Sequence, residues 1–241
     1  MKKILLLGAA GHIGPYIVPG LERFYELRLA DVKPHPDGRE QLTVDIARYE
    51  QVLDAARGMD AIFNFTVNRS HPALSFAVNL RGAYHVARAA VELGIPRILH
   101  TGPELIIPRY QPEFGIGDVP QQPGTGYYGL TKYLSMEICE IYARAYGIQT
   151  VCFQFNGLGP RPDGAVVGQD FPPFTIIWED LVQACRLALE LESVPGNYQS
   201  FNLHSYPSQG KYSLEKAERM LGYRPTAGLE EHFRRPVLKK S

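Results

Sequence analysis

At 241 residues, with 45% hydrophobic and 21% charged side chains, the chain has the composition of a compact globular protein, not of a disordered, collagen-like or coiled-coil one. Lys plus Arg and Asp plus Glu both total 25, so the formal charge is zero and bulk attraction to nucleic acid or anionic lipid is excluded. Cys139, Cys152 and Cys185 are far apart and odd in number, which excludes a zinc CxxC pair or a disulfide framework and fits a reducing, cytoplasmic setting.

The amino-terminal MKKILLLGAAG places two lysines before an apolar run, as a secretory leader does. The following HIGPY is not a small-residue cleavage site, and the run is far short of the ~20 residues of a membrane span. Residues 4–7 are therefore read as a buried first strand. Further short apolar runs at 27–30, 61–65, 97–100 and 150–155, each bounded by turn residues, are also read as buried strands. Amphipathic segments such as 74–93 and 128–146 lie between them. This alternation predicts βαβ units, hence an α/β fold of the Rossmann type, with a doubly wound parallel sheet and helices on both faces. The Gly- and Pro-rich stretch 157–173 reads as loop, helix returns at 179–191 and 213–221, and 201–203 adds one more strand. One domain over 1–241 is expected, with a reduced substrate lobe from 157–178 and 195–241.

The first strand runs into GAAGHIG, with Gly8, Gly11 and Gly14 at three-residue spacing and Pro15 and Tyr16 opening a helix. Such a turn lets backbone approach a pyrophosphate, whose charge meets the free N–H groups and positive dipole end of the helix. Asp31 closes the second strand 17 residues after Gly14, where a carboxylate would hold an adenosine ribose. A carboxylate there accepts from both ribose hydroxyls and repels a 2′-phosphate, so NAD is favoured over NADP, although Lys33 and Arg39 nearby could offset a phosphate. In GYYGLTKYLSMEICEIY, Tyr128 and Lys132 are four residues apart and share one helix face. A neighbouring ammonium and a cationic nicotinamide would favour the phenolate of Tyr128 and make it a proton shuttle. Lys132 would also hydrogen-bond the nicotinamide ribose.

In this order the motifs resemble those of the extended short-chain dehydrogenases/reductases of the NAD-dependent epimerase/dehydratase type, over nearly the whole chain. GAAGHIG, including His12 and Ile13, resembles the family's glycine signature. VDIARYEQVLDAARGMDAIFNFT resembles its adenine-flanking segment, with Asp45 and Ile46 as the Asp-Ile pair. VNLRGAYHVARAAVELGIPRILHTG places Asn79 at the family's helix asparagine, and FQFNGLGPRP looks like its Asn-x-x-Gly-Pro loop. The resemblance implies that Phe65, Thr66, Val67, Asn79, Thr101, Tyr128, Lys132 and Phe155 join the glycine loop, Asp31, Asp45 and Ile46 in binding the cofactor. It also implies a homodimer built from the 74–93 and 128–146 helices, the second of which carries an apolar stripe of Leu134, Ile138 and Ile141.

Two departures stand out. Where the family carries a Ser or Thr that donates to the reacting oxygen, ILHTGPELIIP has Pro103; the nearest hydroxyl, Thr101, is displaced ~6.6 Å along an extended strand. Thr101, Asn68 or Ser70 would have to supply the donor. The segment after the Asn loop is also short, which resembles the uronate dehydrogenases more than enzymes that grip a sugar nucleotide. These features imply interconversion of a secondary alcohol with a ketone or lactone on a small sugar, sugar acid or polyol, catalysed by Tyr128, Lys132 and Thr101. Asn68, Arg109, Asn156 and Arg161 are the expected substrate contacts, the two arginines as carboxylate holders. Neither a metal, nucleic acid nor a membrane is expected as partner. The alternatives are an NAD-dependent sugar epimerase or dehydratase, and a non-catalytic NAD-binding sensor or scaffold suggested by Pro103.

Overall fold

The computed structural model describes residues 1–104, 114–162, 175–226 and 229. Strand β1 (Lys3–Leu7) is apolar at four successive positions because both faces of the strand are covered. Its side chains alternate between two layers. Ile4 and Leu6 pack in one core with Ile17 of α1 (Gly14–Leu21) and Leu181 of α6 (Trp178–Glu190), while Leu5 and Leu7 pack in another with Val52 of α2 (Tyr49–Ala56) and Val86 of α4 (Gly82–Leu93).

The remaining strands of the main sheet are β2 (Glu26–Asp31), β3 (Leu42–Thr43), β4 (Ala61–Asn64), β5 (Arg97–Gly102), β6 (Gln149–Gln154) and β9 (Tyr198–Asn202). They pair in the order β3-β2-β1-β4-β5-β6-β9, all parallel, as a doubly wound Rossmann-type sheet requires. The strand order reverses beside β1, and a parallel sheet opens a ligand crevice at such a reversal, outside the carboxyl ends of the strands.

Strand β3 and helix α2 add to the predicted elements. The helix read over 74–93 is not uniform: α3 (Pro72–Ser75) passes into a wider π turn over Phe76–Arg81 before α4 begins. Part of the stretch read as loop is strand, since β7 (Gly157–Gly159) pairs in parallel with β8 (Thr175–Ile177). Helix α5 (Tyr127–Tyr146) lies against β5 and β6, and α7 (Glu215–Leu221) closes at Gly222, whose φ of 71° is left-handed. After α7, Tyr223 is fully buried, and Thr226 donates through its N–H (2.9 Å) and hydroxyl (2.5 Å) to Asp180 Oδ1, which fastens this segment to α6. No helix among the described residues is long and apolar enough to cross a membrane.

Candidate active site

The glycine loop is close-packed. Gly8 has φ of 87°, and a Cβ on it would lie 2.8 Å from the backbone of Phe65; a Cβ on Gly14 would lie 2.1 Å from the carbonyl oxygen of Ala9. Neither position tolerates a side chain, so the turn stays low over the end of β1 and its surface is backbone. Asp31 braces it, accepting from the N–H of Ala10 and of Lys33, both at 3.1 Å. Beyond this loop a cleft of about 440 Å³ runs across the strand ends. Gly8, Gly11, His12, Asp31, Asp45, Ile46, Phe65, Thr66, Val67 and Asn68 line it, so these predicted residues come together, along with Arg69 and Lys33. Ile13 and Gly14 lie buried at the start of α1. Arg39 is not among the residues lining this cleft, and its guanidinium is 2.6 Å from Glu22. Trp178 lies behind the loop, stacked on Tyr16 of α1 at 4.5 Å and edge-on to His12 at 6.1 Å.

Beside Arg69, which lines the cleft, α5 presents Tyr128 half-buried, with Lys132 buried one turn further on. Burial pushes the Lys132 ammonium down to about 8. Burial also raises Tyr128, and the Arg69 guanidinium, 5.0 Å from its ring centre, pulls it back. Arg69 escaped the sequence reading, since only the fold brings the β4–α3 loop to α5; the Tyr127 hydroxyl donates to the Arg69 carbonyl at 3.0 Å and secures it there. Asn79 lies in the π turn, fully buried. Its Oδ1 accepts from the Asn68 N–H (2.8 Å), and its amide nitrogen donates to the Asn68 carbonyl (2.9 Å) and to Thr131 Oγ1 (3.0 Å). It therefore ties the Asn68 loop to α5.

A buried polar chain behind Lys132 also went unread. Thr66 Oγ1 donates to Asn64 Oδ1 (2.6 Å), Asn64 Nδ2 faces His100 Nδ1 (3.3 Å), His100 Nε2 faces Ser135 Oγ (2.9 Å), and Ser135 donates to the Lys132 carbonyl (2.7 Å). Since Ser135 spends its proton on that carbonyl, His100 donates from Nε2 and accepts at Nδ1. Burial, then the Lys132 charge, holds His100 well below its ordinary range, so it stays neutral.

Thr101 is buried with its hydroxyl 3.4 Å from the Asn64 carbonyl. Pro103 follows β5, and Ser70 lies exposed beyond Asn68. Phe155 is buried beyond β6, and its N–H donates to the Gly102 carbonyl at 3.2 Å. Asn156 is exposed, and Arg161 lies exposed beyond β7. Arg109 lies outside the described residues. Among the described residues no cluster of three His, Cys, Asp or Glu could hold a metal ion.

Comparison with known proteins places the chain in a family. The model of the NAD dependent epimerase/dehydratase family matches residues 4–174. A uronate dehydrogenase of Pseudomonas putida is 31% identical over 169 residues, 67% of this chain and 63% of that protein. The chain thus matches under two thirds of that relative's length. An uncharacterised Bacillus subtilis protein, YtbQ, is 25% identical and covered to 96% on both sides. Among solved structures, a point mutant of the Agrobacterium tumefaciens uronate dehydrogenase complexed with NAD superposes with a TM-score of 0.81 at 22% identity, over 100% of this chain and 92% of that one. At that identity the likeness establishes the fold.

Proposed function

We propose, on the premise that this chain belongs to the NAD dependent epimerase/dehydratase family, that it is an NAD-dependent oxidoreductase which interconverts a secondary alcohol and a ketone or lactone on a small sugar, sugar acid or polyol. The observation that carries the reading is the approach of Tyr128, with Lys132 one turn further along α5, to Arg69, which lines a cleft that the glycine loop and Asp31 also line. The residues fit NAD. Gly8 and Gly14 keep the loop close-packed, so a pyrophosphate could approach its backbone at the start of α1, where the helix dipole would meet its charge, and Asp31 would offer carboxylate oxygens to ribose hydroxyls.

When bound, NAD supplies the hydride acceptor. The chain's own residues handle the proton. Tyr128 Oη takes it from the substrate hydroxyl; burial disfavours the phenolate and the Arg69 charge opposes that, while Lys132 stands one turn away on the same helix. Because Lys132 titrates at about 8, it still carries its charge at neutral pH. The His100–Ser135 chain fixes the α5 backbone from which Lys132 projects. Thr101, the buried hydroxyl two residues before Pro103, would take over the role of the missing donor by turning from the Asn64 carbonyl. The uronate dehydrogenases among the relatives favour a sugar acid as substrate, with Arg69, beside Tyr128, as a cation to meet its carboxylate.

The test is NADH formation with a panel of hexuronates and polyols. Tyr128→Phe should abolish it while leaving NAD affinity nearly intact, and Lys132→Ala should weaken both. Thr101→Val should lower the rate about 10²- to 10³-fold, as loss of one oriented donor does. Full activity in Tyr128→Phe would refute the shuttle, and no reduction of NAD with any compound would leave the Pro103-based non-catalytic reading standing.

A further inference from the structure

A second polar cluster lies where the strands β5, β6 and β9 end. Gly102 is in register with Gln154, and Gln154 with Asn202. Glu104, Asn156 and His204 each stand two residues beyond that line, so the parallel register brings three residues distant in sequence to one level. Their side chains meet. His204 Nε2 lies 2.5 Å from Glu104 Oε1, and Asn156 Nδ2 lies 3.0 Å from Glu104 Oε2 and 3.3 Å from the Tyr212 hydroxyl. The His204 ring stacks on Tyr212 with centres 5.3 Å apart, and its carbonyl accepts from the Tyr223 hydroxyl at 3.1 Å.

Burial within the cluster is graded. Glu104, His204 and Tyr212 are buried, while Asn156 is exposed. The network therefore has a floor and one open edge, at the carboxyl end of the sheet where a parallel α/β fold places its ligands. An ionised carboxylate only accepts, so Glu104 admits one orientation of the Asn156 amide, with its N–H₂ turned inward. Both amide protons are taken by Glu104 and Tyr212. Burying a carboxylate costs several kcal/mol, and a glutamine would fill the same space without that cost, so the charge itself needs an explanation.

We propose that Glu104 is a positioning residue: braced by His204, it turns the Asn156 amide so that the carbonyl oxygen is presented to the substrate and accepts a hydrogen bond from a substrate hydroxyl. This rests on the dehydrogenase reading and adds to it a selection for polyhydroxylated substrates. Protonation of Glu104 reverses the arrangement, because a carboxylic acid donates and the amide then turns its oxygen inward and its N–H₂ outward. The titratable side chains facing Glu104 from the described segments packed on it are His204, beyond β9, and Tyr212, before α7; burial raises Glu104 to about 7 and the His204 contacts oppose this. Presentation of the acceptor should therefore fail as pH falls below 7.

The experiment is titration calorimetry of D-galacturonate and D-glucuronate into the NADH-loaded protein, in which no turnover intervenes. Glu104→Gln and Asn156→Ala should each weaken binding about tenfold, as loss of a hydrogen bond worth about 1.4 kcal/mol does. The double variant should be no weaker than either single one, because Glu104 acts through Asn156. Wild-type affinity should fall between pH 8 and pH 6, and that of Asn156→Ala should not, a comparison that holds even if Glu104→Gln does not fold. Additive losses, or equal pH dependence in wild type and Asn156→Ala, would overturn the proposal while leaving the dehydrogenase reading intact. Absence of uronate binding to the wild type, together with absence of NADH formation, would overturn both.

Discussion

Asp31 has two tasks that a single substitution separates. Its carboxylate braces the glycine loop through Ala10 and faces the end of the cleft where an adenosine ribose would lie. Arg39, the cation that could have offset a 2′-phosphate, is committed to Glu22, which leaves Lys33 as the charged residue lining that end beside Asp31 and Asp45. Asp31→Ala should therefore weaken NAD binding about 10- to 100-fold, the range for a hydrogen bond to a charged group, and weaken NADP binding less, narrowing the gap. Fluorescence titration of both dinucleotides checks this. Equal affinity of the unmodified protein for NAD and NADP would contradict the role given to Asp31. The members of the candidate site legible in the sequence were those defined by local spacing, such as the three glycines, Asp31, and Tyr128 with Lys132. Arg69, His100, Glu104 and His204 were not legible, because their partners are supplied by sheet register or by a loop crossing to α5, and neither leaves a periodic trace.

At the scale of elements, the central strands β1, β4, β5 and β6 were legible because burial on both faces demands short, continuous apolar runs, whereas the short β3, exposed, and β7, half-buried, carry no such run. The π turn at Phe76–Arg81 was not, since the apolar pattern of 74–93 passes through it without a Gly or Pro before Gly82. Its cause is tertiary: Asn79 must reach both Asn68 and Thr131, and a wider turn re-aims one side chain without breaking the helix. The outer faces of α3 to α5 carry Leu74, Phe76, Tyr84, Ile141 and Tyr146, each more than a third exposed, beside a groove lined by Ala77, Leu80 and Ile138. Apolar faces of this extent would suit a contact surface, and two copies meeting there would form a four-helix interface. A dimer by light scattering at micromolar concentration is expected. Ile141→Glu should dissociate it, and a monomeric wild type would refute the interface.

For the molecule as a whole, the buried ionisable groups set how stability varies with pH. Glu104 is raised from 4.5 to about 7, so its contribution is complete below 4.5, where the carboxyl is neutral in both states, and is lost as pH rises through 7. His100, held below its ordinary 6.5 by burial, has the opposite sign: the unfolded chain takes up its proton and stability falls on the acid side. Subtracting the profile of Glu104→Gln isolates the first effect. Between pH 5 and pH 8 the wild type should lose on the order of 3 kcal/mol relative to the variant, by urea denaturation. Parallel profiles would show that the carboxylate is not held as described. The contact of Trp178 with Tyr16 and His12 bears on how these equilibria are followed. The chain has one tryptophan, and it sits against the loop over which a dinucleotide would lie. Its emission is therefore an intrinsic optical probe of that loop: quenching on dinucleotide addition would report occupancy without a label, and the same signal would follow the loop's release during unfolding.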